Sequence, residues 1–264
     1  MSYSVLNGGK RLRAILALMI GELLDTPNNK IMPFACALEM VHAYSLIHDD
    51  LPAMDDDDFR RGKPTCHKAF GEAMAILAGD ALLTHSFKVI AGKITDKKII
   101  PELINQLAQA SGSTGMVGGQ VLDIMHSTTQ NSKCSLDAKL AMLKETHLLK
   151  TAAMIGVAAH GAGIISHADS KKLRSVTFYA RNLGLAFQII DDILDVNGSK
   201  KQLGKTPGKD AKLNKLTYPA LKGLKTSYKE ADYLIRQAKK SLNTFGKKAD
   251  KLKELADYLL TRKT

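Results

Sequence analysis

Apolar residues recur along this chain at spacings of three and four, with polar residues filling the opposite positions, which is the period of an amphipathic helix. That pattern predicts helices over 10–24, 31–51, 68–92, 96–111, 115–130, 136–161, 169–196, 211–223, 227–244 and 247–261. The interruptions fall at residues that break helices: Thr26-Pro27-Asn28-Asn29, Leu51-Pro52, Ser111-Gly112-Ser113, and Gly198 through Gly208. Pro101 is expected in the first turn of its helix, where its missing N–H costs nothing. Strand signals are nearly absent, because short β-branched runs such as KKIIPELI are flanked by helix formers. Two segments, TAAMIGVAAHGAGII (151–165) and NLGLAFQIIDDILDV (182–196), are apolar on most faces and so belong in the middle of a bundle. With no low-complexity linker, we expect a single-domain, all-α bundle whose central helices are wrapped by the others.

Composition sharpens this picture. The 264 residues are 45% hydrophobic, contain no Trp, and favour Ala, Leu, Ile and Met, a bias toward helix over strand. We find no apolar run long enough to cross a bilayer, and MSYSVLNGGKRLR lacks a signal peptide's apolar core, so a cytoplasmic protein is the default. Three widely spaced cysteines, Cys36, Cys66 and Cys134, suggest neither a disulfide framework nor a zinc motif. The net charge of +12 would ordinarily raise nucleic acid or an anionic membrane as a partner. It is local, however: residues 200–264 hold 18 basic against 6 acidic residues, while 1–199 balance at 20 against 20.

The candidate chemistry lies in two aspartate clusters. His48 to Thr65, HDDLPAMDDDDFRRGKPT, follows directly on the apolar helix ALEMVHAYSLI. Asp49 and Asp55 are six residues apart and would diverge on a continuous helix, but Pro52 stops the helix, and a turn through LPAM can return Asp55 toward Asp49. In the second cluster Asp191, Asp192 and Asp195 are spaced i, i+1 and i+4 and share one sector of a greasy helix. Either cluster alone is as readily a solvated acidic end. Two of them at the ends of apolar helices call for a compensating cation, and oxygen-only ligands favour Mg²⁺ over zinc. Mg²⁺ typically bridges a few carboxylates to phosphates. Basic residues suited to a diphosphate accompany the clusters: Gly8-Gly9-Lys10-Arg11-Leu12-Arg13, Arg60-Arg61-Gly62-Lys63, Lys150-Thr151 and Leu203-Gly204-Lys205. Metal, cations and an apolar bundle together point to a lipid-like diphosphate.

These residues resemble, in order, the motifs of the trans-isoprenyl diphosphate synthase family: GGKRLR (8–13), EMVHAYSLIHDDLPAMDDDDFRRGKPT (39–65), GMVGGQVLD (115–123), HLLKTAAMI (147–155), FQIIDDILD (187–195), LGK (203–205) and LNKLTYPAL (213–221). The likeness runs from about residue 8 to the C-terminus and is nearest the bacterial farnesyl diphosphate synthases, with geranylgeranyl diphosphate synthases second. It implies the isoprenoid synthase fold, an all-α bundle around a large central cavity, as a homodimer. It also implies that Asp49 and Asp55, with Asp50 close behind, bind Mg²⁺ from the first cluster, that Asp191 is the main ligand of the second, assisted by Asp192 and Asp195, and that three Mg²⁺ ions are held when substrate is bound. Arg60, Lys150, Thr151, Gln188 and Lys205 match positions that contact the allylic diphosphate, the last four as catalytic groups. Lys10, Arg13, His42 and Arg61 match the pocket for isopentenyl diphosphate. Family members carry a further helix before GGKRLR, whereas this sequence opens at MSYSVLNGG, so residues 1–264 would be one such domain lacking that helix. Ala14 stands where many members have Pro.

The implied reaction is head-to-tail prenyl transfer without a protein nucleophile. The 198–215 segment and Arg262-Lys263 are candidates for a lid that excludes water. His48 is expected to support or pack rather than ligate. Tyr44 and Ser45, five and four residues before Asp49, lie about one turn below it, where a ring would block chain growth. By resemblance, Tyr44 and the two extra residues of the LPAM turn favour a C15 product. A terpene cyclase shares the aspartate chemistry but needs no isopentenyl diphosphate pocket. A non-catalytic subunit would carry degraded aspartate motifs. A nucleic-acid-binding protein would leave the paired aspartates without a role.

Overall fold

Two helices form the centre because their sequences carry almost no polar face. The computed structural model describes residues 1–128, 134–197 and 216–262. Its first elements are α1 (Ser2–Val5), α2 (Leu12–Leu23) and α3 (Asn28–Asp49). A two-stranded hairpin follows, β1 (Phe59–Arg60) with β2 (Lys63–Pro64), then α4 (Cys66–Phe70), α5 (Glu72–Lys93), α6 (Ile100–Ser111) and α7 (Met116–Thr128). Helix α8 (Leu136–His147) runs through a π-turn (Leu148–Ala152) into α9 (Ala153–Ile165), and α10 (Ser170–Asn197) follows. The chain ends with α11 (Tyr218–Lys222), α12 (Leu224–Ser241), a 3₁₀ turn (Asn243–Ala249) and α13 (Asp250–Thr261).

Helix α9 is buried along nearly its whole length and is surrounded by α2, α3, α6 and α10. Its alanines and glycines let neighbours approach closely. A Cβ on Gly161 would overlap the Phe34 ring of α3. On the other side α10 packs against α9 and α12, and the buried Tyr179 hydroxyl donates to the Leu252 carbonyl at 2.6 Å, tying α10 to α13. One contiguous core runs from Leu12 to Leu259. The fold class is all-α, as expected, with both near-uniformly apolar segments inside.

Several expectations need correction. The predicted helix 136–161 is continuous but contains the π-turn and extends to Ile165; a 3.6-residue period cannot reveal a single widened turn. The predicted 68–92 helix divides at Gly71, whose positive φ of 87° ends α4 and opens α5. Of the predicted 211–223 helix, α11 is seen and residues 211–215 lie outside the described residues. The hairpin escaped notice because each strand is two residues long, too short for an alternation to register. Its two-residue turn puts Arg61 and Gly62 at φ of 54° and 76°, the conformation that matches the twist of paired strands.

The expectation that no stretch could cross a membrane also fails as stated. By length and composition alone, Asn28–Asp49, Glu72–Lys93 and Leu136–Ile165 are apolar enough, with mean hydropathies of 1.2, 1.3 and 1.5. Isolated polar residues such as His42 and Ser45 interrupt the runs without lowering the average enough. The first and third helices bury most of that surface within the protein; α5 buries only 28% of it.

The π-turn is pinched from two sides. A Cβ on Gly119 of α7 would overlap the backbone nitrogen of Lys150, and one on Gly184 of α10 would lie 2.8 Å from the Ala152 Cα. Both clashes are with backbone, which cannot swing aside. Gly119→Ala is therefore expected to destabilise the protein by about 1–3 kcal/mol, the usual range for overpacking. Urea unfolding of the metal-free protein measures this, and wild-type stability in the variant would mean that α7 is free to withdraw from the turn.

Candidate active site

The α3 terminus is where the first aspartates acquire their geometry. The helix stops at Asp49, and the following backbone folds back on itself: Met54 N–H donates to the Leu51 carbonyl at 2.9 Å, and Asp55 N–H to the Asp49 carbonyl at 2.8 Å. The turn at Pro52 thus returns Asp55 to Asp49, and both line a cavity of about 770 Å³. Asp191, Asp192 and Asp195 of α10 line the same cavity, so the two clusters share it.

The aspartates differ sharply in surroundings. Burial pushes the Asp49 carboxyl up to about 6, an effect that the Lys150 charge reduces and the Asp55 charge reinforces. Asp195 is 5% exposed, and its Oδ1 is buried with no hydrogen-bond partner among the described residues. Asp191 accepts from Arg262, whose guanidinium is buried, stacks 3.9 Å from the Phe187 ring centroid and also donates to the Phe187 carbonyl. By contrast Asp50 receives Arg60 Nε on both its oxygens, at 2.7 and 2.8 Å. Asp192 accepts from Gln188 Nε2 at 3.3 Å and from the Tyr218 backbone N–H at 3.0 Å.

The cationic wall is equally ordered. The π-turn presents Lys150 and Thr151 to the cavity. Lys150 Nζ is held by Asp123 at 2.6 Å, and the Thr151 hydroxyl donates to Gln188 Oε1 at 2.8 Å. Arg60 reaches the cavity from β1, while Arg61, one residue on in the hairpin turn, points the other way. Its guanidinium donates to the Gly8 carbonyl at 2.6 Å and occupies the space that a Cβ on Gly9 would need. This is the structural use of both the strained φ at Arg61 and the glycine pair.

A second, smaller cavity lies between the N-terminal segment and the hairpin, lined by Arg11, His42, Arg60 and Arg61 among others. His42 and Arg60 border both cavities, and Arg13 borders the larger. Burial lowers Arg13 to about 10 and, with the neighbouring Arg13 and Arg61 charges, holds His42 well below the ordinary imidazole value. His42 is therefore neutral, and its Nδ1 is buried without a hydrogen-bond partner among the described residues. Lys10 is exposed at the edge and borders neither cavity; partial burial, then the Arg262 charge, lowers its ammonium pKa. Lys205 and the whole 198–215 segment expected to form a lid lie outside the described residues, as does Lys263. Tyr44 is 6% exposed, lines the large cavity with Ser45, and meets the His48 ring edge-on at 5.8 Å. His48 itself contacts the Ile76 carbonyl at 3.1 Å, a packing role.

Sequence reasoning missed Asp123, Glu39 and His147. Asp123 sits in the quoted GGQVLD stretch, but nothing in its spacing reveals that Lys150, 27 residues on, is its partner. Glu39 anchors the basic N-terminal turn, accepting from Arg11 at 3.2 Å and from the Ala14 N–H at 3.3 Å. Its place on the apolar face of α3 was the available signal. His147 stacks on Tyr218 with centroids 5.7 Å apart, and burial lowers it to about 3, so it is neutral.

Among the described residues no three carboxylates or imidazoles form a ready-made metal cage. The donor set nevertheless suits a hard cation that brings ligands of its own. Every candidate ligand is a carboxylate oxygen, and among the described residues Asp195 Oδ1 is a buried acceptor without a hydrogen-bond partner and half-buried Asp49 has no contacting cation.

The family described as polyprenyl synthetase matches residues 1–259. A dimethylallyltranstransferase of Fischerella ambigua is 48% identical over 99% of this chain and 75% of its own length. A geranylgeranyl diphosphate synthase of Cyanophora paradoxa is 44% identical over 98% of this chain and 85% of its own. The apo crystal structure of an FPP/GFPP synthase from Zymomonas mobilis superposes with a TM-score of 0.85 at 38% identity, covering 96% of this chain and 84% of that one.

Asp49 yields a pH prediction whose sign can be worked out. Its folded pKa of about 6 lies above the unfolded value near 3.8, so the folded state binds the proton more tightly. The metal-free protein must then lose stability as pH rises from about 4 through about 6. Asp49→Asn removes that cost. The variant is expected to be more stable than wild type at pH 7.5 without Mg²⁺, the difference disappearing below pH ~4. Equal stabilities at pH 7.5, measured by denaturant unfolding, would contradict a buried, uncompensated carboxylate.

Proposed function

This chain belongs to the polyprenyl synthetase family, and we propose that it joins isopentenyl diphosphate head to tail onto dimethylallyl and geranyl diphosphates, releasing diphosphate each time and stopping at C15, farnesyl diphosphate. The observation that carries this reading is the pair of carboxylate clusters lining one cavity, with Arg60, Lys150, Thr151 and Gln188 on its walls. Such an arrangement suits an anion that arrives with its own counter-cations.

Lys150, steadied by Asp123, and Arg60, steadied by Asp50, would receive the charge of the allylic diphosphate as its C–O bond breaks and the electron pair leaves with oxygen. Thr151 and Gln188 would orient it. Mg²⁺ held by Asp49 and Asp55 on one wall and by Asp191 and Asp195 on the other would neutralise the departing diphosphate. Arg13, Arg61 and neutral His42, with Lys10 at the edge, would bind isopentenyl diphosphate beside the smaller cavity. Its double bond then attacks the allylic cation, forming the new C–C bond, and the proton lost from the adjacent carbon passes to the released diphosphate. No side chain needs to act as nucleophile. Lys205 is expected to join the allylic diphosphate contacts on closure.

Tyr44, buried below Asp49 on the cavity wall, supports the C15 limit as a floor to chain growth. The C20 product is the second reading, favoured by the 44% identity to a geranylgeranyl diphosphate synthase. We further propose a cytoplasmic homodimer acting as a single domain. Its support is the exposed apolar surface of α5 and α7, where Met74, Leu77, Val121 and Met125 are each about half exposed, at 58%, 61%, 49% and 54%.

Incubation with labelled isopentenyl diphosphate, each allylic primer in turn and Mg²⁺, followed by chain-length analysis, tests the reading. Mg²⁺-dependent incorporation into C15 is expected, and none with any primer would overturn it. Tyr44→Ala should lengthen the product to C20 or beyond; unchanged C15 output would place the floor elsewhere.

A further inference from the structure

Three guanidinium groups, those of Arg11, Arg60 and Arg61, line the smaller cavity, and like charges this close repel. Two of them are matched by a carboxylate: Arg60 by Asp50, and Arg11 by Glu39 at 3.2 Å. Among the described residues Arg61 has no carboxylate partner; its guanidinium donates instead to the Gly8 carbonyl at 2.6 Å. The position of this third charge is therefore set by the backbone around Gly8, 53 residues away in sequence.

The hairpin that carries Arg61 cannot fix itself. Each strand has two residues, one of the pairs contains Pro64, which has no N–H to give, and an isolated pair of strands is marginal in water. The Thr65 N–H closes its base on the Asp58 carbonyl at 3.0 Å, and Asp50 grips the Arg60 side chain. Further fastening comes from the N-terminal segment. The Tyr3 hydroxyl donates to the Pro64 carbonyl at 2.7 Å, and its ring meets Phe70, just past the hairpin, edge-on at 5.1 Å. The Asn7 amide donates to the Arg60 carbonyl at 3.3 Å. Two donors of the segment thus take carbonyls of the hairpin, while Arg61 of the hairpin takes a carbonyl of the segment. The segment is anchored in turn: Arg11 donates to the Val5 carbonyl as well as to Glu39, which also accepts from the Ala14 N–H at 3.3 Å.

We propose that Tyr3 and Asn7 are positioning residues for the isopentenyl diphosphate pocket: they fasten the hairpin to the segment that leads into Lys10 and Arg13, and so hold Arg61 where one diphosphate can meet all three cations. The inference rests on the prenyl-transfer reading and adds to it two residues that touch no substrate. Arg60 depends far less on this fastening, because both Asp50 oxygens hold its side chain directly, at 2.7 and 2.8 Å. The two substrates are therefore affected unequally. Loosening the hairpin frees Arg61 and weakens the isopentenyl site, while the allylic site keeps its geometry.

The test compares Tyr3→Phe, Asn7→Ala and the double variant with wild type, all in the full chain. Tyr3→Phe removes the hydroxyl and keeps a ring against Phe70, which separates fastening from packing. Steady-state turnover with Mg²⁺ gives kcat and the KM of each substrate. Each single variant should raise the isopentenyl diphosphate KM about threefold and the double variant about tenfold, with kcat and the allylic KM within about twofold of wild type. Backbone hydrogen exchange on the metal-free protein adds a readout independent of activity. The Thr65 N–H at the hairpin base should exchange faster in the double variant, and the Asp55 N–H in the preceding turn should not. An isopentenyl diphosphate KM unchanged in the double variant, an allylic KM raised as far as it, or an unchanged Thr65 exchange rate would overturn the proposal. If the double variant does not fold, Tyr3→Phe decides alone by the same split between the two KM values. Failure of the prenyl-transfer reading looks different, because wild type would then show no Mg²⁺-dependent turnover while the exchange comparison still reports on the fastening.

Discussion

Carboxylates held in a low-dielectric site without enough positive charge of their own are the constraint on which the rest of this structure depends. Asp49 ends a helix whose body is core, and burial, reinforced by the Asp55 charge and reduced by Lys150, lifts its carboxyl to about 6. Asp195 keeps a buried oxygen with no hydrogen-bond partner among the described residues. A protein optimised for stability alone would replace or pair such groups. Here the compensating charges are distributed around the cavity and tethered to other residues: Lys150 to Asp123, Arg60 to Asp50, Arg262 to Asp191. The free protein is in this sense incomplete. What completes it must carry positive charge to the aspartates and negative charge to Lys150 and Arg60, and a metal–diphosphate does both.

The backbone irregularities serve that arrangement. The π-turn puts Lys150 and Thr151 on the cavity wall, and glycines on α7 and α10 let two helices close on the turn from either side. The hairpin, with its left-handed Arg61, lets Arg60 border both cavities while Arg61 borders only the smaller. Neither feature is favoured locally, and both occur where charge must be aimed.

The sequence made the helices legible because burial imposes a 3.6-residue period, and α9 and α10 were recognisable as central from their lack of a polar face. Pro52 was legible as the turn that returns Asp55, since proline's geometry is local. Partners distant in sequence were not: Asp123 with Lys150, Glu39 with Arg11, and Asp192 with the Tyr218 N–H depend on helix packing, which no spacing encodes. The hairpin was too short to show alternation, and the π-turn leaves hydrophobic periodicity almost untouched. Membrane-crossing potential was misjudged because an uninterrupted run and a high average are different criteria, and these helices satisfy only the second. The family motifs identified which aspartates matter.

The central claim is that cation and diphosphate satisfy this site only together. Thermal unfolding with Mg²⁺ alone, inorganic diphosphate alone, and both tests it most directly, because a ligand stabilises the folded state in proportion to how tightly it binds there. The account predicts little or no rise in Tm with either component alone and a rise well above their sum with both. A Tm raised as far by Mg²⁺ alone, or by diphosphate alone, as by the two together would contradict it.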